Sequence, residues 1–177
     1  EQVTGLDLVK LQLRIAAGQK LSDLGLDEPS ALPRGHAMQL RITAETVSEK
    51  GEIKPSMGEL SAFEIPFGPG IRVDTAGYVG FRSNPNFDSL LAKLIAYDRS
   101  PDYADVVARA YRVLCEFRID GIKTNIPLLQ NLLRLPTFLE NDIDTGFFRL
   151  LLVHLDHADP LWLVIRRADL NIDTIRE

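Results

Sequence analysis

His36-Ala37-Met38-Gln39-Leu40-Arg41-Ile42-Thr43 alternates along its length. Met38, Leu40 and Ile42 fall on one face; Ala37, Gln39, Arg41 and Thr43 fall on the other. A period of two marks a half-buried strand, because successive side chains point to opposite faces of a sheet. The stretch therefore predicts a strand with an apolar inner face and a polar outer face, and Arg41 stands in the middle of the outer one.

Working outward, residues 47–58 are polar and hold Gly51, Pro55 and Gly58, as a hairpin or excursion does. Residues 59–65 alternate again. Gly68-Pro69-Gly70 and Asn84-Pro85-Asn86 read as turns, and residues 71–74 and 78–82 as short strands. Residues 90–97 are an apolar run broken by Lys93, which predicts a central strand. Ser100-Pro101-Asp102 predicts a helix start with Ser100 as the cap. Val106, Val107, Ala110, Val113, Leu114 and Phe117 then keep helical spacing. Asp120-Gly121 is a turn. Asn125 is expected to cap a shorter helix that Pro136 closes. At the amino end, Thr4-Gly5-Leu6-Asp7 reads as a capping box. Leu6, Val9, Leu11, Leu13 and Ile15 follow, Gly18 stops the helix, and its apolar content predicts burial. Several strands followed by helices give an α+β fold, a mainly antiparallel sheet backed by helices.

The chain has 177 residues. At roughly 150 residues per domain this is one domain, or one domain with an appendage. Hydrophobic residues make up 45% and charged residues 25%, which excludes a largely disordered chain, a collagen repeat and a disulfide miniprotein. Lys plus Arg number 20 against 25 Asp plus Glu, a formal charge of -5. Such a balance argues against nucleic acid, whose binding needs basic patches. The single cysteine, Cys115, has no intrachain disulfide partner and suits a reducing compartment. No apolar run approaches the ~18 residues of a membrane span, and no signal peptide opens the sequence. Position 1 is Glu rather than Met, so the expectation is a processed chain or one piece of a longer polypeptide.

Residues that carry chemistry are sparse. Neither a phosphate-binding glycine loop nor a GxSxG elbow is present in the sequence. Cys115 reads as a core thiol on the apolar side of its helix. His154 and His157 are three apart, but two histidines do not complete a zinc site, and no metal site is expected. His36 reads as an imidazole hydrogen-bonded to backbone. Arg41 stands out. A guanidinium offers five donors and a permanent charge, suited to carboxylates, phosphates and developing oxyanions. Its alternative is a solvated or salt-bridged strand arginine.

Five stretches in order, Val3-Thr4-Gly5-Leu6-Asp7, Arg34-Gly35-His36-Ala37 running into Arg41-Ile42-Thr43-Ala44-Glu45, Pro55-Ser56-Met57-Gly58, Gly70-Ile71-Arg72 with Phe87-Asp88-Ser89-Leu90-Leu91, and Ile119-Asp120-Gly121-Ile122-Lys123-Thr124-Asn125, resemble the carboxy-terminal portion of biotin carboxylase, the ATP-grasp component of biotin-dependent carboxylases. The resemblance covers residues 1–148 and leaves 149–177 as an unmatched tail or linker. It implies a part in the ATP-dependent carboxylation, by bicarbonate, of biotin borne on a carrier domain. It implies that Arg41, from the family motif R-I-x-A-E, stabilises the negative charge on the biotin ureido oxygen. It places Arg72 and Asp88 near a homodimer interface, and Phe147 and Phe148 on the adenine side of the nucleotide. It implies that ATP and magnesium are held mainly by a region upstream of these residues, so the 177 residues alone are not expected to consume ATP. The implied partners are the biotin carboxyl carrier domain and a carboxyltransferase. The parent would be an acyl-CoA, pyruvate or urea-type enzyme, in the cytoplasm or the mitochondrial matrix. The competing readings are a non-catalytic module that docks on a full-length carboxylase and regulates it, and an inactive truncated product.

Overall fold

The computed structural model describes residues 1–26, 33–48, 52–144 and 146–147. In chain order they form α1 (Leu8–Ala16), a 3-10 turn (Ser22–Leu24), β1 (His36–Thr43), β2 (Glu45–Val47), β3 (Ile53–Pro55), β4 (Ala62–Glu64), β5 (Ile71–Thr75), β6 (Leu90–Asp98), α2 (Tyr103–Glu116), β7 (Arg118–Asp120), α3 (Ile126–Leu132) and α4 (Pro136–Leu139). β6 lies between β1 and β5, antiparallel to both. β2 with β3 and β4 with β7 form two further antiparallel ladders. The α+β architecture is the one that the alternation in residues 36–43 and the apolar run at 90–97 predict.

The core lies between this sheet and α2. Leu40 and Ile42 of β1 and Ala92, Leu94 and Ala96 of β6 face Val106, Val107, Ala110, Val113 and Leu114 of α2. Full burial of one of the Leu, Ile or Val side chains contributes about 1.5–3 kcal/mol. Leu91 belongs instead to a second cluster with Ala44, Leu60 and Ile122. Adjacent residues of one strand, Leu91 and Ala92, are thus both buried. The β1–β6 register shifts between Ile42 and Thr43, where the sheet passes from one core to the other.

Several local expectations change. Residues 78–82 form no strand: Phe81 N–H donates to the Tyr78 carbonyl, Gly80 N–H to the Leu60 carbonyl, and Arg82 makes an isolated bridge with Glu59. The strand expected at 59–65 shortens to β4, whose partner β7 the periodicity did not indicate. The cap of α2 is Asp102, whose side chain accepts from Ala104 N–H at 2.9 Å; Ser100 Oγ accepts from Asp102 N–H. Asp7 likewise caps α1, accepting from Lys10 N–H at 2.9 Å, while Thr4 Oγ1 accepts from Leu6 N–H. Pro136 opens α4 as its first residue. Gly121, at φ +92°, lies where a Cβ would strike the Glu59 carbonyl oxygen, so the turn after β7 needs glycine.

Two burial expectations fail. α1 has no buried residue, and Leu8, Val9, Leu13 and Ile15 are exposed. Cys115 is exposed as well: Val113 and Leu114 take the inner face of α2, and Cys115 Sγ accepts from Gln130 Nε2 at 3.5 Å. His36 does hydrogen-bond to backbone, Nε2 lying 3.0 Å from the Pro101 carbonyl, with its ring edge-on to Tyr103. No helix among the described residues is long and apolar enough to cross a membrane.

Candidate functional site: the Arg41 face and its neighbouring cavity

β1 is an edge strand of the sheet, and Gln39 and Arg41 stand on its open face. Thr43, expected beside them, is buried because the register shift turns the strand there. The ladders set Lys93 opposite Arg41 and Asp74 opposite Lys93; in the adjacent row Gln39, Ile95 and Arg72 align. The open face therefore carries three cations, Arg41, Lys93 and Arg72. Like charges opposite each other across strands repel, and two carboxylates offset this.

Asp74 accepts from Arg72 Nε at 2.8 Å and Nη2 at 3.0 Å, a bidentate pair. The hydrogen bond and charge of Asp74 push the Arg72 pKa up, with Glu1 adding to it from 3.9 Å. Asp88 accepts from Arg41 Nη2 at 3.1 Å through Oδ2 while its Oδ1 accepts from Leu90 N–H at 3.0 Å. Backbone thus aims the carboxylate that meets Arg41. The Arg41 side chain stays 49% exposed. Asp88 is its one side-chain partner among the described residues, so Nε and Nη1 face no acceptor there.

Behind Asp88 opens a cavity of about 910 Å³, lined among others by Glu45, Met57, Phe81, Phe87, Asp88 and Ser89. Glu45 is held at both oxygens: Thr43 Oγ1 donates at 3.0 Å and Ser89 Oγ at 2.6 Å. Such charge-assisted bonds fix a carboxylate firmly. The site pairs a half-free guanidinium with a mainly apolar, partly aromatic cavity that carries fixed polar groups at Glu45, Asp88 and Ser89. That arrangement suits an oxygen that gains negative charge on a partly apolar molecule. Among the described residues no group of three or more His, Cys, Asp and Glu side chains could hold a metal ion.

The structure joins Arg41 to Asp88, which sequence reading had named separately. Arg72 shares their sheet face but pairs with Asp74. Phe147 lies elsewhere, half-buried against Leu132 and Leu135, with its ring 6.4 Å from that of Phe138. Phe148, His154 and His157 lie outside the described residues. Three residues had no site role in the sequence reading. Glu45 and Ser89 brace the cavity wall. Asn125 stands at the expected cap position but makes no side-chain bond to its helix. Its Nδ2 donates to the Arg41 carbonyl at 2.9 Å, and its Oδ1 accepts from Thr43 N–H at 2.9 Å. Nothing in local sequence distinguishes that use of Asn from capping, since both place Asn before a helix.

The family model described as the biotin carboxylase C-terminal domain matches residues 39–149. Pyruvate carboxylase 1 of Caenorhabditis elegans is 43% identical over 148 residues, 83% of this chain and 12% of that protein. Biotin carboxylase 1 of Bacillus subtilis is 41% identical over 147 residues, 83% of this chain and 31% of that protein. The solved biotin carboxylase domain dimer of Hydrogenobacter thermophilus 2-oxoglutarate carboxylase, in complex with MgADP, ADP and bicarbonate, superposes with a TM-score of 0.73 at 34% identity, covering 89% of this chain and 33% of that one. This chain thus spans under a third of the length of those two relatives. With its antiparallel sheet, its helical backing and this match over most of its length, the chain belongs to the biotin carboxylase C-terminal domain family.

Proposed function

We propose that this chain works as the C-terminal part of a biotin carboxylase and presents Arg41 to biotin borne on a carrier domain. The observation that carries this reading is the state of Arg41: half-exposed, held by one aimed carboxylate, with donors to spare beside an open cavity. Biotin supplies a ureido nitrogen that accepts CO2, and its ureido oxygen becomes more negative as that nitrogen loses its proton. Arg41 donates to that oxygen from the nitrogens Asp88 leaves free. Because Asp88 is fixed by Leu90 N–H, the cation is aimed before substrate arrives, and little reorganisation is needed during the reaction.

The domain is assigned to residues 1–148, with 149–177 as tail or linker; the end of the family match at 149 supports this boundary. ATP and magnesium are assigned mainly to other parts of the enzyme. Arg72 and Asp88 are assigned to the neighbourhood of a homodimer interface, supported by the dimer seen in the Hydrogenobacter relative. Phe147 and Phe148 are assigned to the nucleotide side. Carrier domain and carboxyltransferase are the partners this reading requires.

Arg41→Ala in the carboxylase that contains this chain is the test. Biotin carboxylation should fall on the order of 10²–10³-fold, the usual cost of losing one oxyanion donor. Stability should move by less than about 0.5 kcal/mol, because the side chain is a surface one. Retention of most of the rate would return Arg41 to the role of an ordinary strand arginine.

A further inference from the structure

We propose that Asn125 is the positioning residue for Arg41: its carboxamide clamps the β1 backbone on both sides of Ile42 and so fixes where the guanidinium stands. The inference rests on the reading of Arg41 given above.

Among the described residues β1 has β6 on one side and no strand on the other. The Arg41 carbonyl and the Thr43 N–H both point to that outer edge. One planar carboxamide carries a donor and an acceptor at the spacing this pair needs, as a bridging residue of a neighbouring parallel strand does. Asn125 engages both at 2.9 Å, and its own N–H donates to the Thr43 carbonyl at 3.2 Å. The clamp sits where the β1–β6 ladder is irregular, at the Ile42/Thr43 register shift. The regular ladder does not hold this point alone. Ile42, wholly buried, anchors the inner side. Asp88 fixes the far end of the Arg41 side chain, and Asn125 fixes the near end.

Diversion of the side chain supports the assignment. Asn125 precedes α3, where an Asn side chain usually accepts from the first helical N–H groups. Here it forgoes that cap, and Thr124 Oγ1 accepts from Ile126 N–H at 3.4 Å instead. The carboxamide serves the strand rather than the helix. A cation displaced by an ångström from its target oxygen loses much of its effect, up to about 10²-fold.

The test is a double-mutant cycle in the carboxylase that contains this chain, with biotin carboxylation as the readout. Asn125→Ala removes both bonds. Asn125→Asp is isosteric, keeps the acceptor for Thr43 N–H and sets a second acceptor against the Arg41 carbonyl; it decides the matter if the alanine variant melts below the assay temperature. Either variant should lower kcat about tenfold, with the KM for ATP unchanged. The Arg41→Ala/Asn125→Ala protein should match Arg41→Ala within about twofold, because a residue acting through Arg41 has nothing left to position. Multiplied losses in the double variant, or a full rate with Asn125→Asp, would overturn the proposal while leaving Arg41 in place. A full rate with Arg41→Ala would instead remove the reading of Arg41, and the positioning role with it.

Discussion

α1 presents Leu8, Val9, Leu11, Leu13 and Ile15 within nine residues; α2 presents Val106, Val107, Ala110, Val113 and Leu114 within fourteen. Both helices are amphipathic, and each is capped by an aspartate. α2 buries all five of those side chains against β1 and β6, whereas α1 buries none. Periodicity reports that a helix has an apolar face. Whether the face is covered depends on what the rest of the chain brings to it, and for α2 that is a sheet assembled from strands before it in sequence. α2 is also tied by chemistry: Arg109 donates to Asp98 at the end of β6 through Nε, at 3.0 Å, and Nη2, and from Nη1 to the Pro69 carbonyl at 2.8 Å. Around α1 the ties are lighter, such as Leu8 N–H to Glu1 Oε1 at 3.0 Å.

The largest effect should come from opening the interface that α2 makes. Leu114 is 1% exposed within the main core. Leu114→Ala should cost about 2–5 kcal/mol, the sum of lost transfer energy and a residual cavity. Urea denaturation of the 177-residue chain measures it. A cost under 1 kcal/mol would mean that the α2 interface collapses readily and that burial there is not what distinguishes the two helices. Gly121→Ala should come next, at about 1–3 kcal/mol. Its left-handed φ strains any other residue, and the added carbon meets the Glu59 carbonyl oxygen. The same denaturation series reads it. An unchanged midpoint would show that the β4–β7 ladder yields independently of α2.

The same contrast explains what the sequence disclosed. The bounds of strand 36–43 were legible because one face is core and the other is open, so alternation survives as far as Ile42; the register shift then buries Thr43 as well. β6 was legible as central because both of its neighbours shield it. β7 was not: Arg118-Ile119-Asp120 is three residues long, too short for a period, and only its pairing with β4 defines it. Cys115 was misplaced by a single helical step, since Val113 and Leu114 beside it are both core. In the site, alternation put Arg41 on the open face. Asp88 as its partner and Asn125 as its clamp lie 47 and 84 residues away. Such contacts leave no trace in local spacing.

A smaller effect, confined to acid, concerns the tie that α2 has and α1 lacks. The Ser100 N–H, at 2.9 Å, and then the Arg109 guanidinium hold the Asp98 carboxyl below the usual aspartate pKa. A carboxyl depressed on folding stabilises the fold fully above its unfolded value of about 3.9, and that contribution is lost as pH falls through the lower folded value. Thermal melts from pH 6 downward should therefore drop below about pH 4. Asp98→Asn should flatten part of that drop. An identical acid profile in the variant would assign the loss to other carboxylates.

The smallest effect should be on α1. Leu13 is 68% exposed, so truncating it removes little buried surface and leaves no cavity. Alanine is also at least as good a helix former as leucine, which offsets what little contact is lost. Leu13→Ala should therefore move stability by no more than about 0.5 kcal/mol in either direction, measured in the same urea series as Leu114→Ala. Two leucines on two amphipathic helices would then differ several-fold in cost for one reason, the presence of a covering surface. A loss above about 1.5 kcal/mol, in the range of a buried leucine, would place the α1 face against something in the folded chain. The contrast between the helices would then be one of partner rather than of exposure.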